Sequence, residues 1–446
     1  MKRFIVLIVF ICIISASCVN RPADDQEVSI PIKTQNYIAR FEDNVSLYRD
    51  FGDKLIIQKE QEKGFELFSV DINEAILSFD YTVTPLDNQL YYKKLDVDNI
   101  LKVKQLGNSE EDNVLILEGK IIRNIAKYIG YSESALVSTS PSQKYILYCT
   151  VGDILNHYRL QLYNRETNKT MLLDDTVSDA VLDDMQGNLL WSPNEAYLAV
   201  ANKQIYNVQD GKLVSEINAE SMIWSAGGSK LAYIKSENGM GKSICILDAK
   251  AAEIEEVFIV NQGEYLSGYI VWNENETKMA IATASIDAKE SISPYKAIYS
   301  LDLPAKEAVR IDTALKLDME QVSKLENMHY NSSGNLLALT MVDNLGSYLY
   351  VYNVDTSEWQ FFLGIEYLHY ENNEDYICSV RNRLYFVQGQ EIIELDEHMN
   401  FKQIHKSKDA LEDIYLSKDG SSMIIVERQE GRMILRQIKN FSSKSM

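Results

Sequence analysis

From about residue 136 the apolar and polar positions fall into a phrase that keeps returning. An apolar or aromatic residue is followed by Ser or Asn, then by a polar turn of three to five residues, then by a short β-rich run. Copies open on Thr139-Ser140-Pro141, Trp191-Ser192-Pro193, Trp224-Ser225-Ala226, Trp272-Asn273-Glu274, Tyr330-Asn331-Ser332 and Leu416-Ser417-Lys418. Between the Ser/Asn positions the steps are 52, 33, 48, 58 and 86 residues, the last spanning about two units, and a degenerate copy is expected near Cys378. One unit, after Trp224, contains four short apolar runs, at 231–234, 243–247, 256–260 and 269–272. Each turn carries Pro, Asn or Gly, the residues that reverse a chain between paired strands. A small sheet apolar on both faces cannot bury itself and must stack on its neighbours.

The phrase resembles the W-S-P-D-G-x-x-L-A-Y repeat of TolB-type and dipeptidyl-peptidase-type propellers, which are WD-like in their repetition. A period of about 35–55 residues with four short strands implies an all-β propeller blade. The count of units predicts about eight four-stranded blades, with seven or nine also compatible, over residues 36–441 and before a polar tail at 442–446. After Ser417 only two strands remain, so the last blade lacks its outer strand; Tyr37-Ile38-Ala39-Arg40-Phe41 has the length and character to supply it. Between 42 and 135 the repeat is blurred, yet 54–57, 65–68, 90–92 and 114–117 still read as strands. A separate N-terminal domain over 30–130 is the alternative.

The first residues have a different pattern. Lys2 and Arg3 precede eleven apolar residues, 4–14, and the small residues Ser15-Ala16-Ser17 lead into Cys18. That is the layout of a secretory signal peptide, too short for the ~20 residues a membrane-crossing helix needs. A Cys directly after small residues resembles the lipobox of bacterial lipoproteins, although the aliphatic residue usual three before the Cys is Ser15 here, with Ile14 one place further back. The resemblance implies cleavage after residue 17, lipid (a diacyl group and palmitate) on Cys18, a linker over 18–35 and a location on the outer side of the cell membrane. Plain secretion and an uncleaved anchor are the alternatives.

Composition narrows the partners. The formal charge is −21, and losing Lys2 and Arg3 takes it to −23, which repels nucleic acid and anionic lipid surfaces. Of five Cys, Cys12 leaves with the signal, Cys18 takes lipid, and Cys149, Cys245 and Cys378 sit in apolar runs as small buried hydrophobes. So Cys-poor an exported chain suits a host that does not rely on disulfides, as in many Gram-positive bacteria.

Chemistry-bearing motifs are scarce. His157, His329, His369, His398 and His405 form no metal-ligand spacing, so no metal is expected, and no G-x-S-x-G elbow or hydrolase domain is present. Ser417-Lys418-Asp419-Gly420-Ser421 loosely resembles the Asp-box of sialidases and reads as a plain turn. The acids Asp174, Asp175, Asp179, Asp183 and Asp184, and Asp96 with Asp98, lack the Gly-centred spacing of a calcium loop and read as solvated loops. No phosphate cradle or cofactor fingerprint occurs.

Blade strands alternate in direction, so the short turns occupy one face and the longer connections the other. Long loops are expected at 152–157, 174–185, 236–242, 285–296 and 312–327. In the last, Leu315, Leu317, Met319, Val322 and Leu325 are spaced as in a short amphipathic helix. Ser285, Tyr295, Lys296, Leu315, Met319 and Val322 are the candidate partner contacts. The expected function is membrane-anchored binding of an envelope or membrane protein, or of a cell-wall component, with no cofactor and no catalytic residue. TolB-type propellers act by docking other envelope proteins. A small-ligand sensor or enzyme using the central channel is the alternative.

If Cys18 is the lipidated residue, the mature chain begins there and partitions into detergent, and Cys18→Ser leaves an uncut or soluble form. Intact mass tests this, and a mature N-terminus at any other residue rejects it.

Overall fold

The computed structural model describes residues 35–41, 45–49, 54–61, 64–83, 89–94, 100–105, 113–117, 120–123, 137–152, 157–178, 181, 185, 188–237, 239–285, 295–315, 324–331, 333–343, 346–363, 377–380, 382–417 and 420–439. Cys18 and the segment before Gln35 lie outside them.

Strands dominate, and they form nine four-stranded antiparallel sheets among the described residues, in the manner of a β-propeller. In chain order the blades span 45–83, 89–123, 137–178, 189–216, 219–259, 264–310, 324–363, 377–406 and 410–439, numbered here 1 to 9. The repeat pointed to about eight, with seven or nine also compatible. The early runs at 54–57, 65–68, 90–92 and 114–117 all fall within strands, and they build two four-stranded sheets.

Six of the turns between first and second strands share one geometry. The anchors Ser140, Ser192, Ser225, Asn273, Asn331 and Ser417 are at most 1% exposed. Each N–H donates to the carbonyl five residues on, and each carbonyl accepts from the N–H three residues on. The side-chain oxygen of each anchor accepts the N–H five residues on, at 2.8–3.2 Å. The third residue on, Gln143, Glu195, Gly228, Glu276, Gly334 or Gly420, has a φ of 56–75°. This is a turn closed by one left-handed residue, and the anchor oxygen satisfies a donor that burial would otherwise orphan. Ser417 belongs to this set, which places the Asp-box-like stretch among the plain turns. The degenerate copy near Cys378 does not: Ile377–Val380 and Arg383–Gln388 pair across two residues only, Val380 opposite Arg383.

Apolar clusters join the sheets in sequence. Blades 3 and 4 share Leu160 and Val200, blades 4 and 5 share Ile205 and Leu231, and blades 5 and 6 share Ile244 and Met279. Blades 6 and 7 share Ile298 and Leu339, blades 7 and 8 share Leu349 and Phe386, and blades 8 and 9 share Ile392 and Ile425. The inner-strand Trp residues cross the same seams. Trp191 Nε1 donates to Ser138 Oγ, Trp224 Nε1 to the Leu190 carbonyl and Trp272 Nε1 to the Ile223 carbonyl, at 3.0, 3.0 and 3.3 Å. Cys149 and Cys245 are free and buried, as expected of small hydrophobes.

Blade 9 joins the chain ends. Gln35–Phe41 lies along Arg432–Lys439 as its fourth strand, with Phe41 opposite Met433. Blade 9 then packs on blade 1 through Ala39, Phe41, Leu55, Ile57, Ile424 and Leu435. Phe41 and Phe68 meet edge to face at 5.5 Å. Gln437, fully buried in the C-terminal strand, donates through Nε2 to the carbonyls of Ile72 and Asn73 at 2.7 and 2.8 Å.

Gln437→Leu keeps the volume and removes the donor, leaving two carbonyls near the seam without it. A loss of about 1–3 kcal/mol in stability follows, read as a lower denaturant midpoint with an unchanged m-value. An unaltered midpoint would show that the clamp contributes nothing to the joint.

Candidate functional site

The two ends of the blades are built differently. On the turn end a second family of side-chain-anchored turns joins third to fourth strands, and the repeat analysis missed it. Asp71, Asn164, Asn207, Asp248, Asp302, Asn353 and Asp396 each accept, through the side chain, backbone N–H groups two to four residues on. A left-handed residue follows, such as Ala75, Ala252, Lys306 or Ser357. The available signal was an Asp or Asn at the end of seven third strands, hidden because the left-handed position is seldom Gly.

Turns of successive blades are also tied together. Ser142 donates from both N–H and Oγ to the Glu195 carboxylate, the latter at 2.7 Å. Asn194 Nδ2 donates to the Gly227 carbonyl at 2.7 Å, and Gly227 N–H to Glu276 Oε1 at 2.9 Å. Lys278 pairs with Asp355 at 3.7 Å, and Asn331 Nδ2 donates to the Asn382 carbonyl at 3.2 Å. Gly228 is required there, since a Cβ would stand 2.7 Å from the Asn194 side chain at a φ of +68°.

The opposite end carries the longer connections, though not all of them where expected. Lys230–Glu237 and Met240–Asp248 extend into 236–242 and leave only a tight turn there. Lys169–Ser178 absorbs Asp174 and Asp175, so these are not loop residues. Asp174 Oδ1 instead accepts from Thr176 N and Oγ1 at 2.8 Å, while Oδ2 faces Gln204 and Tyr206 of blade 4 at 3.4 Å. Asp96, Asp98, Asp179, Asp183 and Asp184 lie outside the described residues. Between strands, the remaining long spans at this end include 286–294 and 311–323, both leaving blade 6.

Blade 6 anchors those spans with two buried carboxylates. Glu264, 4% exposed at the start of the inner strand, accepts from Thr283 Oγ1 at 3.0 Å and Tyr299 Oη at 3.4 Å. Asn261 Nδ2 donates to Tyr299 Oη at 2.9 Å. Burial, and then the Glu264 charge, push the Tyr299 phenol up, so it stays a neutral donor. Asp312 accepts Ile298 N–H at 3.0 Å and grips Arg310 through Nε at 3.0 Å and Nη2 at 2.8 Å. That bidentate pair, strongest of the ordinary ion pairs in geometry, raises the Arg310 pKa, with the Asp312 hydrogen bond as its main cause. Sequence reading missed both carboxylates, because each looks like an ordinary polar residue at a strand end.

Of the candidate contacts, Ser285 ends the second strand opposite Glu264, and Tyr295 opens the third opposite Ala284. Lys296 is the extra residue of a bulge between the Ala284–Tyr295 and Thr283–Ala297 pairs. Leu315 ends a 3-10 turn, Asp312–Leu315, at the same end of the blade. Met319 and Val322 lie outside the described residues. Of the span where an amphipathic helix was expected, 312–327, the first four residues form the 3-10 turn, 316–323 lie outside the described residues, and Lys324–Tyr330 is the inner strand of blade 7. Leu325 is fully buried there against the blade 6–7 core, so its apolar character served packing.

Towards the channel, inner strands are bulged, as at 219–222, 266–270, 325–327 and 411–413. Glu412 sits in such a bulge and is gripped by Arg428 through both carboxylate oxygens. Among the described residues no group of three or more His, Cys, Asp and Glu could hold a metal ion.

No protein-family model and no curated protein matches the sequence. Among solved structures the chain is similar to the Dos1 propeller, at 12% identity over 90% of this chain and 95% of that one, with a TM-score of 0.42. It is similar to TolB from Acinetobacter baumannii at 13% identity over 67% and 80%, TM-score 0.28. An oligogalacturonate lyase from Vibrio parahaemolyticus is 10% identical over 78% and 97%, TM-score 0.36. At such identities the likeness concerns the fold and carries no activity with it.

Asp312→Ala removes the acceptor of the Ile298 N–H and the bidentate contact to Arg310. Because Arg310 is partly exposed, water recovers part of the loss, and about 2–3 kcal/mol of stability should go. Equal stability of Asp312→Ala and the parent, by denaturant melt, would reject the anchoring role.

Proposed function

We propose that the chain is an extracytoplasmic lipoprotein, held by lipid on Cys18, whose propeller binds an envelope or membrane protein, or a cell-wall component, through the loop end of blade 6. It is read as a binding protein rather than an enzyme. The observation that supports this reading is the inequality of the two ends. Hydrogen bonds of the turn end are committed to its own neighbours, from Ser142–Glu195 round to Asn331–Asn382. Blade 6, by contrast, spends two buried carboxylates on the stems of spans 286–294 and 311–323. Two to five residues suffice to reverse a strand, and longer connections on a rigid frame are where binding residues concentrate. The acidic net charge favours a protein or wall component over nucleic acid.

The test replaces 286–294 and 316–323 separately by short Gly-containing turns in the lipidated protein. Both variants should melt with the parent, and one or both should fail to capture what the parent pulls from its own membranes and wall. Full capture by both moves the binding surface to the turn end or the channel.

A further inference from the structure

The direction in which the chain enters the ring decides how the ring stands on a membrane. First strands run towards the turn end, where Ser192, Ser225 and the other anchors lie; second strands run back, third strands out again, and fourth strands return. In blade 9 the third strand, Arg432–Lys439, therefore ends at the turn end. Gln35–Phe41 is antiparallel to it, with Gln35 opposite Ile438 and Phe41 opposite Met433. Gln35 thus stands at the turn end, on the outermost strand, and Phe41 at the loop end, from which 42–44 lead into the inner strand of blade 1.

We infer that the ring stands with its turn end towards the lipid and its loop end outward, so that its partner reaches it from beyond the bilayer surface. This rests on the lipid-anchor reading above. Residues 18–34 span at most about 55–60 Å when extended. For the loop end to face the lipid, the segment would have to run back along the blade, about 25 Å for a strand of eight residues. That uses nearly half of it before any lipid is reached. With the turn end down, the whole length is free to hold the ring clear of the surface. The tied turns meet the same requirement, since that end keeps few groups to offer a partner. The loop end, with Ser285, Tyr295 and Leu315, is then the surface a soluble or wall-borne molecule meets first, and a protein embedded in the same membrane meets last.

The experiment places a fluorescent residue at Ala251 or His398, exposed on the turn end, or at Glu237 or Gln390, exposed on the loop end. Two preparations carry each label: the full chain lipidated by its own cell, and the chain from Cys18 onward coupled through that thiol to a maleimide lipid, the coupled residue being checked by peptide mass. Both are placed in phosphatidylcholine–phosphatidylglycerol vesicles containing nitroxide headgroups. Turn-end labels should be quenched at least threefold more than loop-end labels in both preparations. Equal quenching, or stronger quenching of Glu237 and Gln390, in the coupled preparation overturns the orientation whatever the cell-made protein does. A cell-made protein with no lipid on Cys18, beside a coupled one quenched as expected, overturns the anchor reading alone, and with it the orientation in the cell, while the geometry of entry stands.

Discussion

A buried oxygen at the end of an inner strand is the contact on which this ring is built. Ser140, Ser192, Ser225, Asn273, Asn331 and Ser417 are buried, and the side-chain oxygen of each gives the N–H five residues on an acceptor inside the turn. With that bond made, the strand reverses in one way, with one left-handed residue at a set place. A reversal of set shape returns the second strand in register and puts the next turn within reach of the last. The chain of contacts from Ser142 to Asn382 follows from that placement. Indoles ending inner strands gain their acceptors for the same reason, since Leu190 and Ile223 of the preceding blade are held at a repeated distance.

Polar and apolar seams divide the labour. Fully burying one Leu or Ile contributes about 1.5–3 kcal/mol, and every seam from blade 3 round to blade 1 contains several such residues. A hydrogen bond nets only about 0.5–1.5 kcal/mol, but leaving its partner unmet inside costs more than making it gains. Stability therefore comes mainly from the apolar seams, and the polar groups penalise misplacement. Glu427 illustrates this between blades 8 and 9, where it accepts from Ser407 at 2.6 Å and from Arg436 at 2.7 Å. His405 lies buried beside it with neither ring nitrogen hydrogen-bonded, and burial pushes its pKa down, keeping it neutral.

Building blade 9 from Gln35–Phe41 and 410–439 has a consequence for where the chain enters. Because the outer strand of blade 9 comes from Gln35–Phe41, the end at which the leader arrives is set by strand direction. The same direction that satisfies the Arg432–Lys439 edge, which would otherwise be an open pairing surface, places Gln35 and the long connections of blade 6 at opposite ends. Chain entry at Gln35 and the stitched turns are thus put at one end, and the long connections of blade 6 at the other, by a single pairing.

Wherever a feature depends on residues close in the chain, it was readable beforehand. The turn at Trp191-Ser192-Pro193-Asn194 needs only six residues to define it, so its repeats, the strands beside them and the propeller class were legible. So was the missing fourth strand and the Tyr37–Phe41 segment that fills it, since an unpaired edge and a spare apolar strand are both local facts. The blade count was not, because blades 1, 2 and 8 lack the full phrase and show themselves only as paired sheets. Leu325 could serve a loop helix or an inner strand with the same apolar side chain, and the pairing with Met341 decided between them. Glu264, Asp312 and Gln437 had no legible role: Thr283, Ile298 and Ile72 lie 19, 14 and 365 residues from them, and they come within reach only once the strands of blade 6 pair or, for Gln437, once blade 9 packs on blade 1. Local backbone geometry is written in consecutive residues, whereas the satisfaction of a buried charge or amide depends on which distant carbonyl or hydroxyl the closed ring brings to it.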